Sequence, residues 1–316
     1  MPTLLPRCEC CGNRNRAVTN IGGYNVCGPC ENEHYHPCCT CGSLTHRYRL
    51  REGECSGCHA LNATWDARPI EFNGCIDEIG SDRRYGIELE TSVCASYKTL
   101  RGHTKYGAKY DGSIDGMEFV SPILQGDQGL HATRGFCTRA KHMDFESNGD
   151  CGYHLHIDVS RNTEIQQRHI ACAYAYTYPF WCRLVTDYRA NDCHYCESLN
   201  WEAEKMETTY HFRRFCDRQE RYAWFNVFAL GTHGTFEIRL HEGTLDSRRI
   251  CNWAKAHTRF ADFVQDMKFF QIRNMFSVET RPMWRAVTNT WNDPALRRYF
   301  RRVALHQTGQ LAEMVV

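Results

Sequence analysis

The sequence predicts an α+β protein, with a mostly antiparallel sheet, flanking helices and a small zinc-ribbon domain at the N-terminus. Three observations carry this. Cys-x-x-Cys pairs crowd the first 58 residues. From Tyr85 onward, short runs alternate apolar and polar residues between Gly, Asp or Ser. Helical periodicity falls between these runs without a regular strand–helix–strand rhythm, which disfavours a doubly wound parallel sheet.

Residues 1–62 are rich in Cys, Gly, Asn and Arg and poor in aliphatic residues, so they need a staple to fold. Ten of the 20 cysteines lie there. Cys8/Cys11 pair with Cys27/Cys30, and Cys38/Cys41 with Cys55/Cys58. Two residues between ligands let a tight knuckle present both sulfurs to one ion. The intervening stretches suit a small hairpin. Two closed four-thiolate Zn²⁺ sites are the expectation. Cys10 and Cys39 sit inside the knuckles and read either as substitutes for a neighbouring ligand or as spare thiols, and His34, His36, His46 and His59 as bystanders. Six Arg and no Lys face five Glu and no Asp in this segment. Two such zinc centres bring its charge to roughly −3. That is not the basic footprint of a nucleic-acid module, so a protein-docking or substrate-presenting role is expected.

Residues 63–79 read as a linker broken by Pro69 and Gly74. Residues 80–275 form the expected catalytic domain. Its strands are YGIELETSV, KYDGSIDGMEFVSP, CGYHLHIDVS and GTFEIRLHEGT. Between them, Asn162 or Thr163 caps a helix that ends near Pro179. Residues 130–143 and 245–270 also read as helices, the latter opening after Asp246 or Ser247. Residues 276–316 form a helical tail, with Asp293 as N-cap and Pro294 at its first position. Its Arg297, Arg298, Arg301 and Arg302 read as a solvated basic face, with nucleic-acid binding as the weaker alternative.

The formal net charge of +1 gives no global pull toward nucleic acid or anionic membrane. No apolar run reaches the roughly 20 residues a spanning helix needs. The start shows no signal-peptide pattern, and the cysteine usage suits metal thiolates over disulfides. A reducing cytoplasm is therefore expected.

Strand parity then places chemistry. Residues i and i+2 share a face. Glu88 and Glu90 thus point one way while Ile87 and Leu89 point the other. His154 and His156 share a face, as do Glu237, Arg239 and His241. Three such strands would form a charged wall on an apolar back. Solvated faces usually mix Lys, Thr, Ser and Gln, whereas these gather Glu, His and Arg. Carboxylates on a rigid sheet suit Mg²⁺, which bridges to nucleotide phosphates, and Arg239 can meet a phosphoryl group. Asp111 sits on a Gly-flanked turn and Glu118 opens the next strand. Asn226 is either a satisfied buried amide or a substrate contact. No Gly-x-x-x-x-Gly-Lys-Ser/Thr or Gly-x-Gly-x-x-Gly loop occurs, so a nucleotide would be held through metal. Cys193/Cys196 is read as a loop bordering the cleft, in preference to a third zinc or a redox centre.

GIELE, KYDGSIDGMEFVSP, CGYHLHID and RYAWFNVFALGTHGTFEIRLHEGTLD, in that order over about 85–265, resemble the motif series of the amidoligase family of phages and bacteria. That family is related to glutamine synthetase and glutamate–cysteine ligase. The resemblance implies a glutamine-synthetase-like fold using ATP and Mg²⁺. It implies Glu88, Glu90 and Glu237 as metal ligands, with Glu118 as a further one and Asp111 the least matched. His154 would sit at the metal–phosphate edge, His156 beside it, and Arg239 would contact the transferred phosphate. The implied reaction is phosphorylation of a carboxylate, then amine attack to form an amide. The substrate would be an amino acid, peptide, protein or modified nucleotide, in the host cytoplasm if the chain is phage-encoded. Two rivals stand beside it: a zinc hydrolase using His154 and His156, and a zinc-ribbon adaptor with a degenerate ligase fold.

Overall fold

The computed structural model describes residues 7–13, 17–21, 24–37, 44–51, 54–55, 77–92, 106–109, 114, 116–277 and 280–308. Asp111, Cys38, Cys39, Cys41, Cys58 and His59 lie outside these residues, as does the side chain of Cys55.

Near the N-terminus, β1 (Val18–Ile21) and β2 (Tyr24–Cys27) form an antiparallel hairpin, followed directly by α1 (Gly28–His34). This hairpin lies between the first two Cys-x-x-Cys knuckles. Two short ladders follow: β3 (Tyr35–Pro37) with β4 (Leu44–His46), and β5 (Leu50–Arg51) with β6 (Glu54–Cys55).

The larger unit is built on β7 (Tyr85–Thr91), β8 (Gly107–Lys109), β9 (Met117–Val120), β10 (Gly152–Asp158), β11 (Phe225–Asn226) and β12 (Thr235–Glu242). They pair antiparallel in the order β11-β12-β10-β7-β9-β8. The helices are α2 (Gly126–His142), α3 (Glu164–Cys182), α4 (Lys205–Thr208), α5 (Phe212–Cys216), α6 (Ala229–His233), α7 (Ser247–Val264), α8 (Phe269–Phe276), α9 (Thr280–Thr290) and α10 (Pro294–Thr308). The mixture is α+β, as the sequence predicts.

Each strand buries one apolar set. Ile87 and Leu89 of β7, Leu155 and Ile157 of β10, and Phe236 and Ile238 of β12 join one core with Trp181, Trp253 and Phe260 from the helices. Ile79, Val287, Trp291 and Phe300 belong to that same core, so residues before 80 and beyond 276 pack with the sheet unit.

Helix boundaries follow local chemistry. Thr163 and Gln166 form a capping box on α3. Asp246 Oδ1 accepts from Arg248 N at 2.9 Å to start α7, and Asp293 Oδ1 accepts from Ala295 N and Leu296 N to start α10. Two expectations need correction. Pro179 does not end α3, which runs on to Cys182. A proline inside a helix costs about 3 kcal/mol, but Phe180 and Trp181 beyond it are fully buried, and their packing offsets that cost. The reading of 245–270 as one helix also fails, because α7 stops at Val264 and α8 begins at Phe269.

The third correction is stereochemical. The register of β10 with β12 steps from Tyr153↔His241 to Leu155↔Ile238, two residues against three. This bulge at Arg239–Leu240 switches the strand's parity. His241 therefore lies opposite Tyr153 on the apolar side, edge-on to Trp253 at 4.9 Å, and does not share a face with Glu237.

His241 and His257 are both buried and neutral. Burial, reinforced at His257 by His241 and at His241 by Arg249, holds both imidazoles well below their usual pKa. His257 Nδ1 lies 2.8 Å from the Tyr174 hydroxyl, and its ring stacks on Trp181 at 4.0 Å. A depressed imidazole leaves the unfolded chain holding the extra proton, so stability is full above the unfolded pKa of about 6.5 and falls as pH drops below it. His169, lowered by burial, acts the same way, whereas His156 acts oppositely. Tm measured from pH 8 to pH 5 should accordingly fall on the acid side of about 6.5. A flat profile there would contradict the neutral-imidazole core.

Candidate active site on the polar sheet face

The three central strands, β7, β10 and β12, bring Glu88, Glu90, His154, His156, Glu237 and Arg239 together. The cause is register. His154 pairs with Glu88, and His156 pairs with Glu237. Glu118 arrives by pairing of β9 with β7, opposite Glu90.

His154, 2% exposed, is the hub. Its Nδ1 is 3.3 Å from Glu88 Oε2 and 3.5 Å from Glu237 Oε1, and its Nε2 is 3.6 Å from Glu90 Oε1. His156 Nδ1 contacts the Thr235 hydroxyl at 2.9 Å, while its Nε2 lies 3.6 Å from Glu88 Oε1 without a hydrogen bond. Glu237 is clamped from two sides. Asn226 Nδ2 donates to Oε2 at 2.6 Å, and Arg239 Nη1 to Oε1 at 2.5 Å. Phe228 N donates to Asn226 Oδ1. Both ends of the Asn226 amide are thus engaged, and it orients Glu237.

Electrostatics follow from crowding. Burial raises the pKa of Glu88, but His156, His154 and Lys109 outweigh it and hold the carboxyl well below its usual range. Glu237 is lowered too, because Arg239 and the two imidazoles overcome burial. Glu118 goes the other way. Burial, and then the neighbouring Glu88 charge, push its carboxyl well above the usual range, despite Lys109 at 3.0 Å. Four carboxyl groups thus share one wall, and among the described residues Lys109 and Arg239 are the permanent cations within ion-pair distance. Two sets place their ligand atoms within 4.8 Å of one another: Glu88/His156/Glu237 and Glu88/Glu118/His154. All of the wall except Glu90 lines a polar cavity of about 400 Å³, together with Tyr195, Arg221, Tyr222 and His233.

Three contributors escaped the sequence reading. Lys109, on the short β8, reaches Glu88 and Glu118. The Tyr195 carbonyl accepts from Arg239 Nε at 3.0 Å, and a backbone acceptor carries no side-chain signature. Gly152 N donates to Glu90 Oε2 at 2.5 Å. A Cβ at Gly152 would lie 2.7 Å from His154 Nε2 and 3.3 Å from Glu90 Oε2. A glycine inside a strand signals such close approach, and this one lies two residues before His154. Gly152→Ala should push His154 off its carboxylates and weaken Mn²⁺ binding about tenfold. Titration by electron paramagnetic resonance measures this, and unchanged affinity would exclude a packing role for Gly152.

In the N-terminal module the thiols of Cys8, Cys11, Cys27 and Cys30 lie within 4.8 Å of one another. Cys27 N donates to Cys8 Sγ at 3.3 Å. Cys10 and His34 form a further group with Cys30.

An antiparallel sheet with a buried carboxylate–imidazole–guanidinium wall defines an α+β protein organised to hold concentrated charge in a polar cavity. Residues 94–261 match the family described as "putative amidoligase enzyme". The chain belongs to that family and so to ligase-type enzymes. The match starts beyond β7, so the placement of Glu88 and Glu90 rests on sheet register. No curated protein matches the chain. No helix among the described residues is long and apolar enough to cross a membrane.

Proposed function

We propose that the protein is an ATP- and Mg²⁺-dependent carboxylate–amine ligase. It would form an amide through an acyl phosphate on an amino-acid, peptide, protein or modified-nucleotide substrate. The observation that carries this is the convergence of Glu88, Glu90, Glu118 and Glu237 on His154 within a chain of the amidoligase family.

The residues fit a hard divalent cation. The donor set is rich in oxygen, its negative charge exceeds its permanent positive charge, and His156 Nε2 is a buried nitrogen without a hydrogen bond. Glu88, Glu118 and Glu237 would hold Mg²⁺, with His154 and His156 alongside and Glu90 orienting His154. Bound there, Mg²⁺ would neutralise charge on phosphate oxygens. The protein's own contribution is preorganisation. Arg239 is tied to Glu237 and to the Tyr195 carbonyl before any ligand arrives, so its guanidinium costs little to orient toward a developing phosphoryl charge. The module of Cys8, Cys11, Cys27 and Cys30 would hold structural Zn²⁺ and dock a protein partner or substrate.

The test is incubation of the full chain with ATP, Mg²⁺ and pooled amino acids or cell extract, followed by mass spectrometry. ADP release together with a new amide supports the ligase. No turnover across the pool overturns it. A second reading is favoured by the imidazole in each ligand set: a metal-dependent hydrolase, which would act without ATP. Independently of substrate, Mg²⁺ at about 100 times its Kd should stabilise the fold by about 2.7 kcal/mol. A thermal shift absent with Mg²⁺ and Mn²⁺ alike would exclude the cation site.

A further inference from the structure

Behind Arg239 lies a second buried guanidinium. Arg189 is 2% exposed. It donates to the Arg239 carbonyl, to the Leu240 carbonyl at 3.4 Å, and to Cys193 Sγ at 3.2 Å. None of these partners is a carboxylate. A buried cation costs several kcal/mol unless a counter-charge faces it, and the group placed to supply one is the Cys193 sulfur. Cys196 stands next to it. Its backbone N–H donates to the Cys193 carbonyl at 3.1 Å, and its Sγ donates to the Arg189 carbonyl at 3.0 Å. Between the two cysteines sits Tyr195, whose carbonyl fixes Arg239 Nε. Both thiols are therefore one step from the guanidinium of the candidate site, and the proposed ligase chemistry uses neither.

We propose that Cys193 and Cys196 are a redox-active dithiol, a modification site that a hydroperoxide closes to a disulfide and that sets the placement of Arg239. The chemistry is intrinsic to the pair. Only the effect on turnover rests on the ligase reading.

The thiol of Cys193 is held low, at about 5, by the neighbouring Cys196 thiol first and then, against burial, by Arg189, whose Nη1 lies 3.2 Å from its sulfur. The Cys196 thiol is pushed up. Cys193 is therefore the thiolate nucleophile and Cys196 the resolving thiol. The Cys193 thiolate attacks the peroxide O–O bond, giving a sulfenic acid and hydroxide. The Cys196 sulfur then attacks the sulfenic sulfur, forming the S–S bond and releasing water. Two thiols and one hydroperoxide yield one disulfide, one water and one water or alcohol. Cys193 is 6% exposed, which favours a small hydroperoxide over a bulky disulfide as oxidant. Closure removes the thiolate facing Arg189 and pulls on the turn that carries Tyr195. The Tyr195 carbonyl that fixes Arg239 Nε, and the Arg189 contact to the Arg239 backbone, then shift.

The test treats the zinc-loaded full chain with hydrogen peroxide, then maps peptides by mass and follows ATP turnover. The 193–196 peptide should lose two hydrogens and regain them with dithiothreitol. Turnover should fall roughly threefold or more, and recover. In Cys196→Ser, which keeps the N-terminal thiols, a sulfenic acid should be trappable at Cys193 and no internal disulfide should form. Both thiols staying free at peroxide doses that oxidise glutathione would overturn the dithiol. A disulfide with unchanged turnover would overturn its link to Arg239. If the chain turns over no ATP before treatment, the ligase reading has failed, and the peptide map still decides the dithiol.

Discussion

Glu237→Gln is expected to cut ATP turnover by about 10²- to 10³-fold, the scale seen when one preorganised electrostatic partner is removed from a buried site. The substitution is isosteric, but the surroundings forbid it. Both oxygens of Glu237 accept from donors, Asn226 Nδ2 on one side and Arg239 Nη1 on the other. A glutamine has one acceptor oxygen and one donor nitrogen. Whichever way its amide turns, a donor faces a donor. Either Asn226 loses its partner or Arg239 does, and the wall also loses a negative charge that two imidazoles sense. Mn²⁺ affinity should fall in parallel, because Glu237 belongs to one of the two convergent ligand sets. Glu237→Asp keeps both oxygens and should retain more activity than Glu237→Gln. The comparison is made by ADP release at saturating ATP. Turnover in Glu237→Gln within threefold of the unsubstituted protein would remove Glu237 from the site.

Gly116→Ala should be the most destabilising of the small substitutions, by about 3–5 kcal/mol. A Cβ there would stand 1.7 Å from the Thr91 carbonyl oxygen and 2.8 Å from its carbon. Both are backbone atoms, so no side chain can swing aside. Gly116 immediately precedes β9, and Thr91 pairs with Met117 in the first rung of the β7–β9 ladder. Forcing that rung apart also separates Glu90 from Glu118, so cation binding should fail with stability. Gly135→Ala is the control. Gly135 is exposed in α2, and nothing lies within 4 Å of its added Cβ, so alanine there should stabilise by about 0.5–1 kcal/mol. Urea unfolding of the pair measures both, and a Gly116→Ala protein as stable as its parent would disprove the close approach.

Much of this site was legible because strand parity is a strict rule. Glu88, Glu90, His154, His156, Glu237 and Arg239 were grouped by alternation, and register brings them together. His241 was not legible. Alternation assigns it to the wall, and the bulge at Arg239–Leu240 turns it into the core. A bulge adds a residue to one strand through its pairing with another, so periodicity within that strand cannot reveal it. Pro179 failed for a related reason, since tertiary burial of Phe180 and Trp181 overrode a local rule. Lys109 was missed because its strand spans three residues, too few for any periodic signal.

The site also has an order of assembly written into its chain separations. Asn226 and Glu237 are 11 residues apart and meet across a local β11–β12 pairing. His154 meets Glu88 across 66 residues, and Gly152 meets Glu90 across 62. Loop-closure entropy makes the second kind of contact the slower one to form. The guanidinium–carboxylate half of the wall therefore belongs to an early, local hairpin, and the carboxylate–imidazole half to final closure of the sheet. A chain with most of its helices in place but β7 undocked would hold Glu237 beside Asn226 and lack Glu88 and Glu90 opposite His154. Competence at this wall thus marks completion of the fold.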